Sequence, residues 1–208
     1  MLSETLKLKT EQLLKNRLWR HSITVDPSRS VPGEIAELLT ALIDGLREET
    51  EGPLRAYVVL PEGSFDRRFF DAIQMAECAR FPLTGSFGSK GDDGEWRSAP
   101  MVFHLADVGL LDEFIPEHWG EDSFAIFFSP LGPLEFFRAV AAFGLVRREG
   151  GNLVWAPYWN PPSFEKYLSE SDSRRTDRIF RHVAYYLAEG GAGRVVRIYC
   201  RGGFEEET

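Results

Sequence analysis

The stretch His118–Gly151, HWGEDSFAIFFSPLGPLEFFRAVAAFGLVRREGG, decides how the chain is read. Its first apolar run, Ser123–Ser129, is hydrophobic at consecutive positions. A strand with apolar side chains pointing both ways needs cover on both faces. Pro130, Gly132 and Pro133 break that run. From Leu134 the apolar residues recur at helical spacing, and Gly144 stands where a helix stops. Leu145–Arg148 and Asn152–Trp155 flank a Glu-Gly-Gly turn and predict two short paired strands. A strand, a covering helix and a hairpin in succession point to a layered α/β fold.

Working toward the N-terminus, Ala56–Leu60 (AYVVL) reads as another buried strand and Ala99–Ala106 as a third. Ile35, Leu38, Leu39, Leu42, Ile43 and Leu46 fall at i, i+3, i+4, i+7, i+8 and i+11, the spacing of one helix stripe. Phe65, Phe69, Ile73 and Ala76 predict a second amphipathic helix, and Leu6, Leu13, Leu14 and Leu18 a first one from Ser3 to about Trp19. Leu110, Leu111, Phe114 and Ile115 predict a short helix ended by Pro116. Toward the C-terminus, Ser163 can cap a helix through Leu168, and Ile179, Phe180, Val183, Ala184 and Leu187 predict a last helix. Gly193–Cys200 alternates as a strand. The expected architecture is a mixed β-sheet with helices packed on it: an N-terminal helical extension over 1–52, a central α/β domain over 53–170 and a C-terminal helix-strand lobe over 171–208.

Composition narrows the function classes. With 208 residues, 43% hydrophobic and 27% charged, the chain can bury a core of its own. A net charge of −8 argues against a general nucleic-acid binder, which needs surplus Lys and Arg. The charged start MLSETLKLKTEQLLKNRLWR lacks a signal peptide's apolar stretch, and no segment approaches a membrane span. The expectation is a cytoplasmic protein without a membrane partner. Cys78 and Cys200, far apart, form neither a disulfide framework nor a zinc knuckle.

Residues suited to chemistry are sparse. His21, His104, His118 and His182 show no i, i+4 pair and no H-E-x-x-H. The loop Thr84–Trp96 fails as a phosphate cradle because Lys90 is followed by Gly91, and as a calcium loop because Asp92 and Asp93 are adjacent. There is no G-x-S-x-G elbow. Asp66, Asp71 and Glu77 read as a solvated helix face. No catalytic set, metal site or cofactor is predicted.

Residues suited to binding are more prominent. Arg174, Arg178 and Arg181 share one helix face, with Arg175 beside them and Arg194, Arg197 and Arg201 on the strand that follows. In an acidic chain this basic patch fits an acidic partner; salt bridges to Asp172, Asp177 and the EEET tail are the equally weighted alternative. Trp155, Tyr158 and Trp159 crowd a proline-stiffened segment and suit either an interface anchor or a core plug.

Read with its flanks, the chain resembles a known family. Its order runs A-P-M-V-F-H-L, H-W-G-E-D-S-F-A-I-F-F-S, P-L-E-F-F-R-A-V-A-A-F-G-L-V, then G-G-N-L-V-W-A-P-Y-W-N-P. This order, over about Ala56–Leu168, is similar to the type VI secretion adaptors, the effector chaperones that accompany the spike protein VgrG. Ala99 and Pro100 match the family's Ala-Pro, Trp119 and Gly120 its Trp-Gly, Ser129 its strand-end Ser, and Leu134 and Glu135 its helix start. Tyr158, Trp159, Asn160 and Pro161 stand at its aromatic pair, Asp and Pro. The chain departs at Pro157 and Pro162, where members commonly carry Arg, and at Asn160, which replaces the acid.

The resemblance implies a non-enzymatic adaptor that binds an effector toxin and loads it onto the VgrG spike. Trp119, Tyr158, Trp159, Asn160, Arg174, Arg178 and Arg181 are the expected partner-binding residues. Two other readings stay open: an immunity protein that covers one toxin, and a hydrolase built on His104, His118 and distant acids.

Overall fold

The computed structural model describes residues 9–13, 18–24, 31–48, 53–61, 100–105, 114–147, 153–155, 158–171 and 173–201. The helix expected over Phe65–Ala79, the loop Thr84–Trp96 and Cys78 lie outside them.

The elements are β1 (Lys9–Leu13), β2 (Leu18–Thr24), α1 (Val31–Glu48), β3 (Arg55–Pro61), β4 (Pro100–His104) and α2 (Ile115–His118). They continue with β5 (Ala125–Ser129), α3 (Pro133–Gly144), β6 (Leu145–Arg147), β7 (Leu153–Trp155), α4 (Pro161–Glu170), α5 (Ser173–Phe180), β8 (Tyr185–Gly190) and β9 (Val195–Cys200). Seven strands form one sheet in the order β1-β2-β9-β8-β5-β3-β4, and β6 pairs with β7 apart from it. The α/β layering is as expected, but every described pairing is antiparallel, so the sheet is not mixed.

The central strands are apolar on both sides because both sides are covered. Ala56, Val58, Ile126, Phe128, Leu187, Val196 and Ile198 point to the face covered by α1 and α2. Tyr57, Val59, Ala125, Phe127, Tyr186, Ala188 and Tyr199 point to the opposite face, under α3, α4 and α5. On α1, Ile35, Leu39, Leu42, Ile43 and Leu46 are all buried, so the predicted stripe is the one that packs. Each such side chain contributes about 2 kcal/mol on leaving water. Beneath α3, the Tyr57 ring stacks on Phe136 at 4.2 Å and its hydroxyl donates to the Leu131 carbonyl at 2.8 Å. Burial pushes the Tyr57 phenol up to about 12.

Two parts of the expected division are corrected. Lys9–Leu13 and Leu18–Thr24 are strands where the helix from Ser3 to about Trp19 was expected: β1 and β2 pair with each other, and β2 extends the main sheet through β9. An isolated propensity reading misses this because β2 is fixed by a partner some 180 positions away, at the register Trp19↔Cys200. Nor do the described residues of the lobe expected over 171–208 stand apart. The expected last helix ends at Phe180, and β8 and β9 lie in the middle of the sheet. Ala184 and Leu187, expected on that helix, belong instead to the turn before β8 and to the strand, where Leu187 opposes Ile126 and Ile198. Pro116 sits inside the first turn of α2 rather than ending a helix, a position where its missing N–H costs nothing.

Candidate functional site

Three groups of side chains are candidates: the aromatic residues, the polar junction around Asn160, and the arginine face of α5.

The aromatics are packing residues. Trp119 is 8% exposed and its ring nitrogen donates to the Gly193 carbonyl at 2.8 Å. Tyr158 is 4% exposed and meets Phe143, Phe164 and Tyr167 edge-on. Trp159 is half-buried against the same core. Trp119 and Tyr158 therefore do not present an open docking surface, and the expectation that they anchor a partner is corrected. The physical reason is packing: each ring belongs to a core cluster on one face of the sheet, and the Trp119 N–H is satisfied there by the Gly193 carbonyl. Leu134, 41% exposed, is the one large hydrophobic residue exposed among those described.

Asn160 is a structural junction. Its Oδ1 accepts the Ser163 N–H at 3.0 Å, which makes Asn160, not Ser163, the cap of α4. Its Nδ2 donates to the Asp122 carbonyl at 2.8 Å and ties α4 to the loop after Trp119. One turn into α4, Glu165 accepts from both Arg197 and the Tyr199 hydroxyl of β9. Burial first, then the Glu165 carboxylate, raises Asp122 above its ordinary range, with Arg197 opposing. Tyr199 is raised by burial and then by Glu165. Arg197 is thus committed to this cluster and is not part of an open basic patch.

The arginine face of α5 is open. Thr176, Ile179 and Phe180 bury one side of the helix, while Arg174, Arg175, Arg178 and Arg181 are exposed on the other. Arg181 follows the last helical residue, and its N–H to the Asp177 carbonyl at 3.0 Å keeps it in helical sequence. The spacing i, i+4, i+7 therefore holds Arg174, Arg178 and Arg181 on one side. The salt-bridge alternative applies to a neighbour: Asp177 is taken by Arg201. Among the described residues, no ion pair engages Arg174, Arg178 or Arg181.

The histidines do not converge. His104 opposes Tyr57 and its ring meets the Tyr57 ring at 5.5 Å, on the α3–α5 side of the sheet. His118 lies on α2, across the sheet, packs on Phe114 and bonds Glu121 through Nδ1 at 2.8 Å. The sheet stands between the two. Among the described residues, no group of three or more His, Cys, Asp or Glu could hold a metal ion, and no helix is long and apolar enough to cross a membrane. Sequence reasoning missed Glu189, a buried carboxylate beside Gly120; in EGGAGR it reads as an ordinary solvated acid before a turn. No family model, curated protein or solved structure matches the chain.

Proposed function

We propose that this chain is a non-enzymatic adaptor of the type VI secretion kind, which binds an effector toxin and loads it onto the VgrG spike. The observation that carries the reading is the row Arg174, Arg178 and Arg181, exposed and without an ion-pair partner among the described residues. Its helix is seated through Thr176, Ile179 and Phe180. In a chain of net charge −8, such a row draws an acidic surface to one place while the remaining surface repels it, which sets docking orientation and speeds encounter. The seated helix presents the guanidinium groups with their spacing fixed, so less order has to be gained on binding. The resemblance names the partners; the arginine face supplies a surface by which an acidic one is held.

Co-expression with the toxin and with VgrG tests the reading. A stable complex with at least one of them is expected from the wild type and is lost in R174E/R178E/R181E, which stays folded because all three side chains are exposed. A wild-type chain that binds neither contradicts it.

A further inference from the structure

The chain leaves the sheet beside the arginine row. β9 ends at Cys200, and the next side chain, Arg201, pairs with Asp177 of α5. Asp177 stands three residues after Arg174 and four before Arg181, so it shares their side of the helix and borders the row. The pair thus holds the exit from β9 alongside Arg174, Arg178 and Arg181. Those three are exposed and have no ion-pair partner among the described residues.

The sequence that follows, GGFEEET over 202–208, lies outside the described residues. It places three adjacent carboxylates, Glu205, Glu206 and Glu207, four to six positions beyond the anchored Arg201. At about 3.5 Å per extended residue these positions reach about 14–21 Å from the Arg201 Cα. The row is shorter: at about 1.5 Å per residue, Arg174 and Arg181 stand about 10 Å apart along the helix, with Asp177 between them. Gly202 and Gly203, between the anchor and the acids, let the chain reverse without the Cβ clash that restricts other residues. In an extended run Glu205 and Glu207 point to one side about 7 Å apart. The rise from Arg174 to Arg178 is about 6 Å. Charge, reach and spacing select the same occupant for the row.

We propose that Glu205–Glu207 fold back onto Arg174, Arg178 and Arg181, so that the chain carries its own stand-in for an acidic partner, which has to displace it to dock. An exposed carboxylate–guanidinium pair is weak by itself. A short tether compensates by holding the acids at an effective concentration in the millimolar range. The stand-in therefore shields the row from weak acidic competitors and yields to a partner that adds contacts of its own. This rests on the reading of the α5 row as an acid-binding face, yet it is measured without toxin or VgrG, so each can fail alone.

The arginine Nε–H resonances of the intact protein at low salt test the contact. Those of Arg174, Arg178 and Arg181 are expected to shift in E205Q/E206Q/E207Q, while that of Arg194, exposed before the far end of β9, stays in place. High salt is expected to remove the difference, and protein concentration to leave it unchanged, as for a contact within one chain. A fluorescein-labelled polyglutamate peptide tests the shielding. By anisotropy it is expected to bind E205Q/E206Q/E207Q about threefold more tightly than wild type, as for a row filled about two-thirds of the time, and not to bind R174E/R178E/R181E. Unmoved arginine resonances, a shift that grows with protein concentration, or equal peptide affinity in wild type and E205Q/E206Q/E207Q, absence of binding to both included, overturns the proposal.

Discussion

Single side chains at the Trp119 loop carry more than one load each. Asn160 caps α4 with its oxygen and holds the Asp122 carbonyl with its nitrogen. An aspartate here can perform only the first task. Asn160→Ala is therefore expected to lower unfolding free energy by about 1–2 kcal/mol and Asn160→Asp by less, in urea titration. Equal losses from both would contradict the dual role. Gly193 has φ 78° and approaches Gly120 closely, so Gly193→Ala is expected to cost on the order of 1–3 kcal/mol in the same titration. None of this was legible in the sequence: Gly-Ala-Gly announces a turn, but not that Trp119 and Gly120 lie against it. The aromatic excess was legible and its placement was not, because composition cannot say which side of a ring faces solvent.

At the level of elements, legibility followed the locality of the cause. The α1 stripe and the α3 run with its terminal Gly144 are dictated by neighbours within a few positions, and both helices form where the periodicity puts them. The both-faces-apolar runs of β3 and β5 likewise announce central strands. The hairpin β1–β2 does not announce itself, since KTEQL has low strand propensity and is recruited by pairing. The α5–β8 junction was misread because Ile179, Phe180, Val183, Ala184 and Leu187 keep helical spacing across the turn at Arg181–His182. That turn is fixed by tertiary contacts: the fully buried Ser129 hydroxyl donates to the His182 carbonyl at 2.6 Å, and the Ala184 N–H donates to the Phe128 carbonyl at 2.8 Å. The arginine face of α5 was legible, because i, i+4, i+7 spacing is local. For α4, Phe164 is fully buried among Tyr158, Tyr186 and Tyr199. Phe164→Ala is expected to lose about 3–5 kcal/mol in denaturant unfolding, whereas Arg178→Glu stays within about 0.5 kcal/mol of wild type.

Over the whole molecule, one antiparallel sheet clad on both faces joins the two ends of the described chain, since β2 is laid against β9. The described strands of the segments expected as an N-terminal extension and a C-terminal lobe thus share one sheet with the centre. Its core tyrosines report on that sheet. Burial raises Tyr57 to about 12 and holds Tyr158, Tyr186 and Tyr199 above their ordinary range. A phenol raised on folding supports the fold below pH 10 and loses that support as pH rises through its folded value. Alkaline absorbance titration is accordingly expected to ionise these phenols together with unfolding rather than at pH 10; full ionisation before loss of the far-ultraviolet circular dichroism would contradict the packing.

The proposed purpose of this chain is to hold an acidic protein on the α5 arginine face. The most direct measurement is calorimetric titration of the purified chain with its effector toxin and with VgrG, at low and high salt, beside R174E/R178E/R181E. Saturable binding by the wild type that weakens with salt and falls at least tenfold in the variant is the predicted result. Binding that the three reversals leave unchanged, or none to either partner, would contradict it.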